Sequence, residues 1–153
     1  MIPLLLILHS LVGVALLGAT THQSYSLLRR SSRNVDSFLA RYGSVNQASF
    51  TGVIALLFVM NVLLGALLYP KYRLEVRIPF EEMQLGWAVG IFELKEHFAG
   101  LGLGVLPLYT RAWRKASDGA DLKLRIGLTL TLTLIVWWNF LVGHVLNNIR
   151  GLP

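Results

Sequence analysis

Four ionisable side chains fall within five residues, Glu93-Leu94-Lys95-Glu96-His97, inside a run from Leu85 to Tyr109 that otherwise reads as apolar helix. A charge at hydrocarbon depth costs ~2.5–3.5 kcal/mol even on lenient insertion scales, so such residues turn toward a helix-lined interior or a polar cavity. At ~100° per residue Glu93, Glu96, His97, Gly100 and Gly104 share one stripe. This predicts Glu93 and His97 on the interior face. Lys95 points elsewhere and is predicted to snorkel to the outer headgroups or to pair with a neighbouring subunit.

Depth adds partners from other segments. With ~1.5 Å rise per residue and a hydrocarbon core of ~30 Å, Glu93 to His97 lie roughly 5–10 Å below the outer surface. His9, entering on the first apolar segment, and His144, leaving on the last, fall at a similar depth, with Asn61 slightly deeper. Two chemistries use this layer. In one, two of His9, His97 and His144 supply axial ligands to a b-type haem, and Glu96 or Asn61 makes an outer polar contact or meets a propionate. In the other, Glu93 and His97 at i, i+4 join His9 and His144 as a nitrogen and oxygen site for a zinc, iron or copper ion. Two further readings need no cofactor: hydrogen-bonded or ionic fixing of helix register, and a proton or substrate pathway. His22 lies 13 residues from His9, about 140° away on an ideal helix, among Thr20, Thr21, Gln23 and Ser24. It is predicted to be solvated or to touch headgroups rather than to hold a second haem.

The elements that position these residues are apolar helices. The chain of 153 residues is 54% hydrophobic and 14% charged, which is membrane-protein composition. Four segments reach the ~20 residues that a span needs: 2–21, 51–69, 85–109 and 126–146. The predicted fold is therefore an all-α integral membrane protein, a single domain of four transmembrane helices. Such a chain has no room for a soluble catalytic domain. Pro3 suits a first helical turn, and Gly13 and Gly18 permit close helix contact. The first segment lacks the positive start of a signal peptide and is expected to be a retained helix. Tyr69-Pro70 is predicted to end the second span, 72–78 to form an extended outer loop, and Pro79-Phe80-Glu81-Glu82 to start the third helix.

The formal charge of +6 sits beside the spans and forms no basic stripe, which argues against nucleic acid. Arg29, Arg30, Arg33 and Arg41 mark one loop, and Arg111, Arg114, Lys115, Lys123 and Arg125 mark another. By the positive-inside rule both are cytoplasmic and both termini lie outside, predicted in a bacterial inner (plasma) membrane. A short interfacial helix or a solvated loop is expected over 29–39. Tyr69, Tyr72, Tyr109, Trp113, Trp137 and Trp138 are expected as interface anchors, with quinone stacking near Trp137 or Trp138 as the alternative. The absence of cysteine excludes disulfides, Fe–S ligation and covalent c-type haem attachment. No phosphate-binding loop, nucleophile elbow, HExxH or dinucleotide fingerprint is present, so no catalytic residue is predicted and enzymatic activity is left open. In architecture alone, four spans with histidines on the first, third and fourth resemble the small b-type cytochrome membrane anchors of respiratory complexes. That resemblance implies an electron-transfer or accessory subunit, with lipid and other membrane subunits as its partners.

Overall fold

The computed structural model describes residues 2–28, 37–114 and 122–150. The described residues are helical nearly throughout, with no strand among them. α1 runs Ile2–Leu28, α2 Phe38–Gly43 and α3 Phe50–Tyr72 after a 3-10 turn at Gln47–Ser49. A π turn at Arg73–Arg77 leads into α4 at Ile78–Glu82, followed by α5 at Gly86–Arg114 and α6 at Leu122–Arg150. Most of the loop predicted to hold an interfacial helix over 29–39 lies outside the described residues.

α1 and α3 are apolar around their whole circumference, the pattern of a helix with no water-facing side. Three helical stretches are long and apolar enough to cross a membrane: Ile2–Leu28, Gln47–Glu82 and Leu122–Ile149. Large apolar side chains on them face outward, Leu134 at 70% exposure and Leu67 at 65%. So continuous an apolar surface suits lipid contact. α5 is of similar length but carries Glu93, Lys95 and Glu96.

The four long helices share one core. Leu16 of α1, Ile54 and Phe58 of α3, Leu106, Tyr109 and Trp113 of α5, and Leu132, Ile135 and Val136 of α6 interlock in the half nearest the two long loops. A smaller cluster nearer the termini packs Phe80 of α4 against Ala88 and Val89 of α5 and Val142 and Leu146 of α6. α5 packs extensively on α6, and α1 on both α3 and α6. The α3–α5 seam is much sparser. It closes where buried Gly102 admits the Phe58 ring onto the α5 backbone, since a Cβ there would overlap that ring.

Two expectations along α3 are overturned. The helix does not end at Tyr69-Pro70 but continues through Pro70, and 72–78 is wound, not extended. The alternation of Tyr72, Leu74, Val76 and Ile78 imitates a strand, yet the charges beside them are spaced for a helix. Lys71 Nζ meets Glu75 at 2.8 Å and Arg77 Nε meets Glu81 at 2.7 Å, both four residues apart. Pro79 does sit in a first helical turn, but that of the short α4, which continues the α3 side of the chain; Pro79-Phe80-Glu81-Glu82 does not start the third long helix as expected, since α5 begins only at Gly86. The chain then breaks at Gln84, whose φ of 60° places it in the left-handed region. Leu85 N–H donates to the Phe80 carbonyl (2.8 Å) and Gln84 N–H to that of Glu81 (3.1 Å), the paired bonds of a Schellman stop.

His22 is not free in solvent. Its ring stacks on Tyr42 at 3.9 Å, and its Nε2–H donates to the Tyr42 carbonyl at 2.7 Å.

Candidate functional site

α5 carries the ionisable cluster, and the helix register decides which of its members look inward. The buried positions Ala88, Gly102, Leu106, Tyr109 and Trp113 of α5 follow seven-, four- and three-residue steps. Lys95 falls on that line, seven residues from both Ala88 and Gly102. Its side chain is only 16% exposed, whereas Glu93 and Glu96 are 52% and 43% exposed. Glu93 and His97 were expected inside and Lys95 outside; the placement is the reverse. The stripe through Glu93, His97, Gly100 and Gly104 exists, but it is the outer stripe, because core position is set by the bulky residues of the other half of the helix.

Glu93, Glu96 and His97 do come together. With Phe92 of α5 and Ala66 and Tyr69 of α3 they line a cleft of about 450 Å³ at the sparse α3–α5 seam. Above it the Tyr72 and Phe92 rings stack face to face at 3.5 Å. Arg77 reaches over from the π turn to put Nη1 3.4 Å from Glu93 Oε1 while its Nε holds Glu81. Lys95 Nζ binds Glu96 Oε1 at 3.1 Å and lies 4.7 Å from the Phe92 ring centroid. His97 Nδ1–H donates to the Glu93 carbonyl at 2.7 Å, so in the neutral ring Nε2 remains an acceptor.

His9 and Asn61 belong to a different seam. His9 lies over Gly65, where a Cβ would stand 3.5 Å from its Cε1, and Asn61 lies over Gly13, with the corresponding Oδ1 distance 3.6 Å. Each of two antiparallel helices thus places a polar side chain over the other's glycine. His9 Nδ1 and Asn61 Oδ1 are buried without a hydrogen-bond partner among the described residues. His144 is exposed on α6, parallel to the Phe140 ring at 6.5 Å, and joins neither group.

The donor set does not assemble a metal centre of the expected kind. Among the described residues no three His, Asp or Glu side chains stand close enough to hold one ion. His9, Glu93, His97 and His144 are therefore divided between the α3–α5 cleft, the α1–α3 seam and the outside of α6.

A second polar system, read in the sequence only as polar helix ends, lies at the opposite end of the helices. Tyr109 Oη–H donates to Gln23 Oε1 at 2.6 Å, and Gln23 Nε2 donates to the Gln47 carbonyl at 3.0 Å and toward Thr51 Oγ1 at 3.4 Å. Gln47 Nε2 returns a bond to the Ser26 carbonyl at 2.7 Å. Ser24 and Thr133 share a hydroxyl contact of 2.7 Å, and Trp113 Nε1–H donates to Thr129 Oγ1 at 3.2 Å. Tyr109 and Trp113 are thus buried members of a network, not interface anchors. Trp137 and Trp138 stay partly exposed, and Trp137 Nε1–H donates to Thr21 Oγ1 at 3.0 Å. The missed signal was the shared line of Gly102, Leu106, Tyr109 and Trp113.

Comparison with protein-family models, curated proteins and solved structures found no match.

Proposed function

We propose that the chain is a four-span integral membrane protein in which α5 is the fourth span. It serves as an accessory subunit of a larger membrane assembly by holding a polar group in the α3–α5 cleft. One observation carries this reading. Glu93, Glu96 and His97 converge at the one loosely packed seam and face out of the helix core. Counted back from Thr110, a ~30 Å core includes residues 93–97 within its last ~10 Å. Half-exposed carboxylates at that depth need a polar occupant. The cleft opens sideways, so a group held there is shared with whatever lies alongside, which suits a subunit better than a self-contained enzyme.

The test is purification in gentle detergent. A stoichiometric assembly with other membrane polypeptides, weakened in Glu96→Leu, is the expected result. A stable monomer that keeps no companion under any mild condition overturns the subunit reading.

A second reading, electron transfer through a b-type haem, draws support from His97 alone. Its Nδ1 bond to a carbonyl fixes the ring and leaves Nε2 free, the arrangement of a ligating histidine. No second histidine lines the cleft, so a haem there would need its other ligand from a partner or from none. A Soret band lost in His97→Ala is the required signature.

A further inference from the structure

We propose that the α3–α5 cleft is a binding site for the headgroup of a phospholipid bearing a primary amine, of the phosphatidylethanolamine class. This rests on the reading of α5 as a membrane span.

The charge balance of the cleft selects a zwitterion. Glu93 shares Arg77 with Glu81, and Glu96 stands beside Lys95, so three carboxylates meet two cations and the surface offers carboxylate capacity for an ammonium beside a guanidinium for a phosphate. Each carboxylate keeps acceptor capacity after one ion pair, since two oxygens present about four lone-pair sites. His97 Nε2 adds a further acceptor. Three acceptors on one wall match the three N–H donors of a primary ammonium. A quaternary ammonium has no donor to give them. It would depend on open aromatic faces, and Phe92 is already covered by the Tyr72 ring and lies near Lys95 Nζ. The phosphate has a partner as well, because Arg77 spends Nε on Glu81 and Nη1 on Glu93 and has five N–H donors in all.

The surface below the cleft fits the rest of the molecule. Gly100 and Gly104 continue the line of Glu93 and His97, both are exposed, and a Cβ on either would meet nothing within 4 Å. On the α3 side Val59 and Leu63 are exposed in turn. A polar cleft followed along α5 by exposed glycines with open space beside them suits an amphiphile whose head lies in the cleft and whose chains run down the helix.

The experiment uses the full chain in mixed micelles with phosphatidylethanolamine, its N-methyl and N,N-dimethyl forms, phosphatidylcholine and phosphatidylglycerol, all with the same acyl chains. Native mass spectrometry reads the lipid retained. Retention is expected to fall stepwise with methylation, by on the order of tenfold from primary amine to choline, because charge-assisted hydrogen bonds are removed one at a time. Phosphatidylglycerol should be held no better than choline. The double variant Glu93→Gln, Glu96→Gln should flatten the series. Equal retention of choline or glycerol heads, or an unchanged series in the double variant, overturns the proposal. Labelling of Gln84→Cys and Arg114→Cys in sealed membranes with an impermeant thiol reagent separates the two readings, since the chain has no other cysteine. Ends labelled from opposite sides with a flat lipid series sink the headgroup site alone. Ends labelled from the same side sink the span as well.

Discussion

The two ends of this protein handle polar groups in opposite ways. Near the long loops, Gln23, Tyr109, Ser24, Thr133, Thr129 and Trp113 are neutral, buried and hydrogen-bonded among themselves, with Ser26 Oγ the buried exception that finds no partner among the described residues. Near the termini, Glu93, Lys95, Glu96 and Arg77 are charged and partly exposed, and His9 Nδ1 and Asn61 Oδ1 have no hydrogen-bond partner among the described residues. A neutral group in a low-dielectric core is stabilising once its bonds are closed and costly once one is opened. Charged groups with spare acceptors do little for the isolated fold and wait for something else. The first end holds the helices together; the second carries the proposed binding cleft.

The largest effect that sharpens this contrast belongs to Gln23→Met. Gln23 Oε1 accepts from the Tyr109 hydroxyl and Gln23 Nε2 donates to the Gln47 carbonyl, so an apolar thioether of similar length strands both. Unsatisfied buried groups cost ~1–3 kcal/mol each, which for two of them predicts a loss of at least ~2 kcal/mol in detergent unfolding. An unchanged midpoint would show that this network contributes no stability and would remove the distinction between the ends.

Next in size is Gly102→Ala. The added methyl meets the Phe58 ring, which must shift, and overpacking of this kind costs ~1–3 kcal/mol. Because the contact closes the seam below the cleft, the variant should also alter lipid retention there. Gly100→Ala and Gly104→Ala meet open space, and their unfolding midpoints should stay put.

How far the sequence carried this picture depends on which property is asked of it. Level along the helices was legible in part, since helix rise places Glu93 to His97 and His144 near one level, and a Cβ at Gly143 would stand 4.0 Å from Lys95 Cε. Facing was not. Two stripes of α5 contain ionisable residues, and the polar cluster by itself does not say which looks inward. The stripe through Gly102, Leu106, Tyr109 and Trp113 settles it and carries Lys95 with it. Aromatic residues at the loop end resembled interface anchors for a similar reason. Their N–H and O–H groups suit headgroups as well as Thr129 and Gln23, and only the packing of α1 and α6 supplies the latter. Past Pro70 the ion pairs at four-residue spacing overrode a period of two that hydropathy alone appeared to set.

A smaller effect tests the inward lysine. Lys95→Met keeps the length of the stem and removes an ammonium whose partner Glu96 is itself partly solvated. An ion pair whose carboxylate stays partly in solvent contributes only ~0–1 kcal/mol, so the expected change in stability is within about 1 kcal/mol. Loss on the scale of Gln23→Met would instead assign Lys95 to the structural half of the comparison.

The smallest expected change has the most telling sign. Asn61→Leu replaces a side-chain amide by a branched hydrocarbon of nearly the same shape, as Gln23→Met does by an unbranched thioether at the other end. Asn61 Oδ1 has no partner to lose, and Gly13 leaves room opposite it. Removing a buried acceptor that makes no bond relieves a desolvation cost, and interhelical bonds in membranes average only ~0.6 kcal/mol. The variant should therefore be neutral or more stable by up to ~1 kcal/mol, opposite in sign to Gln23→Met. Both are read from the same unfolding curve in the same detergent. Destabilisation by Asn61→Leu comparable to that of Gln23→Met would mean that Asn61 is bonded in the membrane after all, by water or by His9. The layer near the termini would then be a closed network like the first, and the contrast between the two ends would fail.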